Sequence, residues 1–512
     1  MQLEDLIFYE IYPKSFCDSD GDGVGDLRGI IQKADYLQQL GINGVWIAPC
    51  FESPNADNGY DISNYRKIAP EMGSMQDMEM LIQALHQRDI IVILDLVANH
   101  TSTQHEWFLQ SRKSKHNPYR HYYIWRKTPP NDWQSFFGGS AWEYDKTTDE
   151  YYLHSFAIEQ ADLNWENEKV REEIRAIVDF WVRKGVDGFR CDVLDMISKD
   201  WEKCKNGDGP KLHEYIRELF GRENVQDLFA VGECWTADEN NAKLFCDRGR
   251  CELKTVFAFS HLCLEEGKFA LKQPSLFEVC SRISDWQIAM QRQGLLPTVF
   301  LENHDQPRSV SRFIGEENLR FEGATFLGAL TLLHRGIPFL YQGQEIGLTN
   351  NVGEKIEDFN DVEAINYYHE NEGRIEEKER IARINYGGRD NARYMMPWRD
   401  EDTKSWALPY VHRKEINVKA DKQAKKSVLD FYQKTIALRK KEKALREGEY
   451  KKVNLTSSHY VFERICGEER LRIVCNFENQ TPYEEVNGEI LLNNYETFDG
   501  VLQPFQVLVF KV

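Results

Sequence analysis

A chain of 512 residues with 41% hydrophobic and 12% aromatic content has the length for one large domain plus a smaller one and is not a disordered protein. Its formal charge of −19 argues against nucleic acid as the main partner, and eleven scattered cysteines without a C-x-x-C pair point to free thiols, not a disulfide framework or zinc site. The longest apolar runs, IIVILDLVA and FLGALTLL, are too short or interrupted to span a bilayer, and MQLEDLIFYEIYPKSF lacks the plan of a signal peptide, so a cytosolic protein with no membrane contact is expected.

The first predicted element is a strand in LIFYEIYPKSF. The loop after it alternates carboxylates and glycines: Asp18, Asp20, Asp22 and Asp26, with Val24 placed to add a backbone carbonyl. That density of oxygens suits one hard cation, Ca2+ or Mg2+, in a structural role; no organic cofactor is expected. IIQKADYLQQLG then reads as a helix and INGVWIAPC as a strand, followed by a helix in MQDMEMLIQALHQRD and a strand in IIVILDLVANH. Near-continuous apolar strands alternating with amphipathic helices predict a parallel sheet covered by helices.

Residues 101–164 interrupt this alternation. HNPYRHYYIW and TTDEYYLHSF alternate rings and polar residues within it like short strands. The pattern resumes with a helix in EKVREEIRAIVDFWVRKG, which stops at Gly185, and a strand in VDGFRCDV. Side chains on a strand repeat every second residue, so Arg190 lies beside Asp192 and would hold its carboxylate ionised, as a carboxylate nucleophile requires. A buried ion pair without chemistry reads the same from this stretch alone. LHEYIRELFG (helix), LFAVGECW (strand), LLPTVFLENHD (strand), FEGATFLGALTLLH (helix) and IPFLYQGQE (strand) bring the count close to the eight units of a (β/α)8 TIM barrel. A charged stretch over 350–385 predicts a flap after the last of these strands. From about Ser427 a final helix leads into short strands of an antiparallel β-sandwich.

Strand tips carry Asp95 and His100, Arg190 and Asp192, Glu233, His304 and Asp305. In a (β/α)8 barrel such positions meet in one bowl at the C-terminal face, an arrangement that separate capping or core roles do not readily produce.

DLVANH, GFRCDV, VGEC and LENHD, in this order and spacing, resemble the four signature regions of the α-amylase superfamily, glycoside hydrolase family 13. WIAPCFESPNADNGYDISNY, FFGGSAW, QADLNWEN and ENHDQPR are similar to its oligo-1,6-glucosidase, dextran glucosidase and α-glucosidase group. The resemblance implies a catalytic barrel over residues 1–100 and 165–426, an inserted domain at 101–164 and a C-terminal domain at 427–512. It implies Asp192 as nucleophile, Glu233 as acid/base and Asp305 as the residue bracing the sugar, with retention of configuration. Such chemistry needs one carboxyl anionic and the other protonated at rest. A pocket for the nonreducing-end glucose would use Asp57, Tyr60, His100, Phe137, Phe156, Gln160, Arg190 and His304, with a further contact from Arg389 or Arg393. After RDNAR, YMMPW stands where the family usually has TPMQW.

Val193 matches the valine of relatives acting on α-1,6 bonds, and Trp235 resembles the dextran-glucosidase side; both also fit plain packing. The implied activity is exo-hydrolysis of short α-1,6-glucosides by a monomer or weak homo-oligomer. Trehalose-6-phosphate hydrolases and sucrose isomerases are the alternatives. CWTADENN offers no phosphate-binding cation for the first, and SVSRFIGEENLR lacks the arginine-rich loop of the second. Noncatalytic transporter heavy chains would carry a membrane span and lack the three acids.

Overall fold

The computed structural model describes residues 2–315, 319–401, 404–486 and 488–512. Eight parallel strands make the central sheet. In chain order they are Phe8–Ile11, Gly44–Ile47, Ile91–Val97, Gly188–Asp192, Phe229–Glu233, Thr255–Phe257, Thr298–Val299 and Ile337–Tyr341. The first pairs with both the second and the eighth, so the sheet curls into a barrel. Between the sixth and seventh strands, Thr298 Oγ1 donates to the Val256 carbonyl (3.0 Å) and Thr255 Oγ1 to the Leu296 carbonyl (2.8 Å). Side chains thus close the seam where the backbone ladder is missing.

Residues buried on both faces explain why these strands read as unbroken apolar runs. Phe8 stacks on Phe339 at 4.8 Å and touches Phe229 at 4.7 Å, while Phe257 packs against Phe339 and Trp46, filling the lower barrel with rings. Gly188 opens the fourth strand because a Cβ there would sit 1.9 Å from the Phe229 carbonyl oxygen. Above the rings, inward positions turn polar: Arg190 lies level with Asp95 in the register, and Asp192 with Val97.

The sequence reading missed the sixth strand, Thr255–Phe257, whose three residues sit between RGRCELK and a short turn. LLPTVFLENHD yields only the two-residue strand Thr298–Val299, and the first strand ends at Ile11, before the helical turn Pro13–Phe16. The helix Glu168–Arg183 ends as expected, with Gly185 at φ 95°.

Within the insertion, Trp125–Arg126, Glu150–Leu153 and Trp142–Asp145 form a three-stranded sheet. Gln160–Asp162 pairs antiparallel with His100–Ser102 and ties its far end to the barrel. The stretch expected as a flap is a pair of helices, Val362–Glu370 and Glu377–Gly387, around a small core of Phe359, Ala364, Tyr368, Ile381 and Ile384. Ser427 caps the helix Val428–Lys441. Beyond it stands a five-stranded antiparallel sheet, whose second face is covered through Tyr483 and Leu502 by the ribbon Thr481–Pro482 with Val501–Leu502. No helix among the described residues is long and apolar enough to cross a membrane.

Candidate active site

The fourth strand delivers Arg190 and Asp192 to one face, and the fifth delivers Glu233 beside them. Arg190 Nη1 donates to Asp192 Oδ1 and to Asp95 Oδ1, each at 2.7 Å, and Nη2 donates to Glu233 Oε2 at 2.5 Å. Asp95 does not stand at the strand tip as expected, since the strand runs on to Val97. It lies level with Arg190 and one level below Asp192, where its second oxygen accepts from Trp46 Nε1 and Tyr60. Glu233 also accepts from the Val193 backbone N–H (3.2 Å) and from Trp235 Nε1 (3.0 Å). Trp235 is 49% exposed and stacks on Phe259 at 4.0 Å and 8°, so a flat aromatic wall stands beside Glu233.

The expected effect of Arg190 on Asp192 meets a larger opposing one. Burial, reinforced by the charges of Glu233 and Asp95, pushes the Asp192 carboxyl well above the usual carboxylate range despite the guanidinium. One cation shared by three acids does not neutralise them all.

His304 is an imidazolium. Burial alone would lower its pKa, but Asp305 and Glu10 bring it to about 9. The geometry agrees, since both ring nitrogens face acceptors: Nδ1 meets Glu10 Oε1 at 2.5 Å, and Nε2 meets the Tyr60 hydroxyl at 2.6 Å and Asp305 Oδ2 at 3.2 Å. Tyr60 and His304 stack 5.2 Å apart with planes 6° from parallel. Desolvation would raise the carboxyl of the half-buried Asp305, yet His304, then Arg393 and Arg389, hold it well below its ordinary range.

A second cluster adjoins Asp305. Asp57 Oδ1 accepts from Arg389 Nη2 and Oδ2 from Gln160 Nε2, both at 3.0 Å. Gln160 Nε2 also lies 3.1 Å from His100 Nε2, and burial lowers the His100 pKa to about 4, leaving the ring neutral. Phe156 packs against His100 and Phe137, whose ring lies 4.6 Å from the Arg389 guanidinium. Both arginines of RDNAR reach Asp305: Arg393 Nη2 at 2.6 Å and Arg389 Nη1 at 3.5 Å. Arg389 alone also reaches Asp57. Every residue expected in the glucose pocket joins this connected set.

Val193 adopts φ +34°, a left-handed conformation unusual for a β-branched residue, and is only 6% exposed. The turn it makes brings its N–H onto Glu233.

Four polar residues were missed. Glu10 is a buried acid on the apolar strand Phe8–Ile11, and that incongruity was the available signal. Asp61 accepts from Ser53 and from the backbone N–H of Ala56 and Asp57, fixing the loop that carries Asp57. Asp361 and Asn366 lie on the helix pair, where Asn366 Nδ2 donates to the Phe137 carbonyl (2.8 Å). Nothing in their local sequence marked them. In the loop compared with sucrose isomerases, residues 316–318 lie outside the described residues.

Away from the pocket, Asp18, Asp20 and Asp22 bring carboxylate oxygens within 4.8 Å of one another, a donor set that fits a hard cation. Asp26 stands apart from that group. Its oxygens accept from Ser19 N (2.8 Å) and Gly29 N (2.7 Å), the latter capping the helix Leu27–Gln32.

Comparison with known proteins gives the same frame. The family described as alpha amylase, catalytic domain, matches residues 10–448. The chain is 41% identical to an oligo-1,6-glucosidase of Parageobacillus thermoglucosidasius, over 99% of this chain and 98% of that protein. It is 37% identical to a trehalose-6-phosphate hydrolase of Bacillus subtilis (strain 168), over 99% and 97%. A crystal structure of an isomaltulose synthase variant from Erwinia rhapontici NX5 with its natural substrate sucrose superposes with a TM-score of 0.94 at 35% identity, covering 99% of this chain and 98% of that one. The chain belongs to the alpha-amylase family of glycoside hydrolases, glycoside hydrolase family 13, and is a hydrolase of that family.

Proposed function

We propose that the chain is a retaining, exo-acting α-glucosidase that releases glucose from the nonreducing end of short α-glucosides and prefers α-1,6 linkages. The observation that carries this reading is the fork of Arg190, which holds Asp192 and Glu233 by its two ends and connects through Asp95, Tyr60, His304 and Asp305 to the Asp57–Arg389 cluster. A double displacement uses two carboxyl groups about 5 Å apart, and sharing one guanidinium brings Asp192 and Glu233 together as that chemistry requires.

Asp192 attacks the anomeric carbon while Glu233 protonates the departing glycosidic oxygen. Glu233 then takes a proton from water as the water displaces Asp192. Glu233 starts from three hydrogen bonds to the protein, so delivering a proton requires its carboxyl to leave Arg190 for the leaving oxygen. Asp305, kept anionic by His304 and Arg393, holds sugar hydroxyls and faces the positive charge that develops on the ring. Asp57, Gln160, His100 and Arg389 end the pocket behind one glucose, which favours exo-action. The aromatic wall of Trp235 and Phe259 lies beside Glu233, where the second sugar would stack.

The α-1,6 preference rests on Val193 beside the leaving group and on the oligo-1,6-glucosidase relatives. A structural Ca2+ or Mg2+ would be held by Asp18, Asp20 and Asp22, with the Val24 carbonyl available to join them. The test is kcat/KM over isomaltose, isomaltotriose, maltose, sucrose and trehalose-6-phosphate. Isomaltose is expected to lead. A lead for maltose would overturn the role given to Val193, and a lead for sucrose or trehalose-6-phosphate would place the chain with the corresponding relatives.

A further inference from the structure

We propose that Asp361, on the helix pair after the eighth barrel strand, is a positioning residue for the glucose pocket: it holds Arg389 so that this arginine keeps Asp57 and Asp305 turned toward the terminal sugar. The proposal rests on the reading of the pocket as a glucose site.

Asp361 is fully buried, and its carboxylate bonds to neither Asp192 nor Glu233 but to Arg389 and to the start of its own helix. Its carboxylate meets the side of Arg389: Oδ1 lies 2.8 Å from Nε and 2.6 Å from Nη2, and Oδ2 accepts from the Arg389 backbone N–H at 3.1 Å. Those bonds fix Arg389 at both ends of its side chain. Held this way, its Nη2 is shared between Asp361 and Asp57, the latter at 3.0 Å, and Nη1 is directed at Asp305 at 3.5 Å. Arg393, a second buried guanidinium, reaches Asp305 as well, so the two cations stand side by side and repel. Asp361, with Glu363 Oε2 farther off at 3.6 Å from Nε, supplies the negative charge that keeps Arg389 back.

A helix cap alone does not account for this residue. Asp361 Oδ1 also accepts from Glu363 N at 3.0 Å and so caps Val362–Glu370, but asparagine caps a helix about as well as aspartate. What asparagine cannot supply is the charge and the second acceptor: with Oδ1 given to Nε and Nη2, no carboxylate oxygen remains for the Arg389 backbone N–H. Without them, Arg389 is drawn fully onto Asp57 and Asp305. It then occupies oxygens that the sugar hydroxyls need, and glucose affinity falls.

The experiment compares wild type, Asp361→Asn and Asp361→Glu for KM and kcat on an α-glucoside and for competitive inhibition by glucose, with melting temperature as the folding control. In Asp361→Asn the inhibition constant and KM are expected to rise about tenfold, the size of one charge-assisted contact, with kcat changed far less. Asp361→Glu is expected to recover part of the loss. A folded Asp361→Asn with glucose inhibition and KM within about twofold of wild type overturns the proposal, because a capping role alone predicts that result. If Asp361→Asn does not fold, Asp361→Ser, whose hydroxyl also caps, is measured in its place; failure of both to fold overturns positioning in favour of a purely structural role. A wild type that hydrolyses no α-glucoside sinks the glucosidase reading instead, and is seen before any variant is made.

Discussion

Asp192 and Glu233 accept from the two terminal nitrogens of the same arginine, Arg190, at 2.7 and 2.5 Å. The residue that aligns the two acids is also the one cation that both must share with Asp95.

Replacing Arg190 should therefore cost stability and activity together. Arg190→Met leaves three buried carboxyls without their cation, a defect of roughly 3–5 kcal/mol by the behaviour of other broken buried pairs. A fall in kcat of at least about 10²-fold is expected once the geometry of both acids is lost. Denaturant unfolding and steady-state kinetics measure the two effects. Wild-type stability in the variant would show that the acids do not depend on this cation.

Asp192→Asn should abolish turnover and stabilise the protein at neutral pH. Burial raises the Asp192 pKa in the folded chain, so its ionisation opposes folding wherever pH exceeds the unfolded value of about 3.9. The amide removes that penalty, worth on the order of 1 kcal/mol for each pKa unit. The gain in melting temperature should be largest near pH 7 and vanish as pH falls and wild-type Asp192 takes up its proton. A variant that melts lower than wild type at pH 7 would contradict the assignment.

The His304 imidazolium gives a signal of opposite sign. Its pKa is raised to about 9 by Asp305 and Glu10 against burial, so the stabilisation it brings is complete below about 6.5 and is lost as pH rises through about 9. Between those limits wild type should lose stability with a slope that His304→Gln lacks. Melting curves across pH 6 to 10 test it, and equal slopes would mean that the ring is neutral.

Val193→Ala should shift the ratio of kcat/KM for isomaltose to that for maltose toward maltose, by about tenfold if the branched side chain shapes the leaving-group side. An unchanged ratio would leave Val193 as a packing residue in an unusual conformation.

Chelation should lower the melting temperature without lowering kcat measured at 25 °C, and Ca2+ or Mg2+ should restore it. Asp20→Asn with Asp22→Asn should remove the response. A protein indifferent to chelator would leave Asp18, Asp20 and Asp22 as a turn held by its own N–H groups.

The barrel was legible because parallel strands buried on both faces, such as Ile91–Val97, leave apolar runs that few other structures need, and because the acids stand at their ends. The three-residue sixth strand left no such run, and its seam is closed by threonine side chains that no periodicity reveals. The pocket residues were legible through motif resemblance. Their electrostatics were not: Arg190 beside Asp192 suggested an ionised nucleophile, but burial and two further acids sharing the cation depend on distances between strands 40 residues or more apart in the chain. Asp361 escaped for the same reason, since it acquires meaning only from Arg389, whereas Glu10 stood out as an acid in an apolar strand but takes its role from His304, far along the chain.

The central claim, that Asp192 is the nucleophile and Glu233 its acid/base, is tested most directly by mass spectrometry of Glu233→Gln after reaction with α-glucosyl fluoride. Fluoride leaves without needing a proton, while the amide cannot activate water, so a glucosyl ester should accumulate and map to the peptide carrying Asp192. An adduct on Asp95 or Asp305, or none while fluoride is still released at the wild-type rate, would contradict the account.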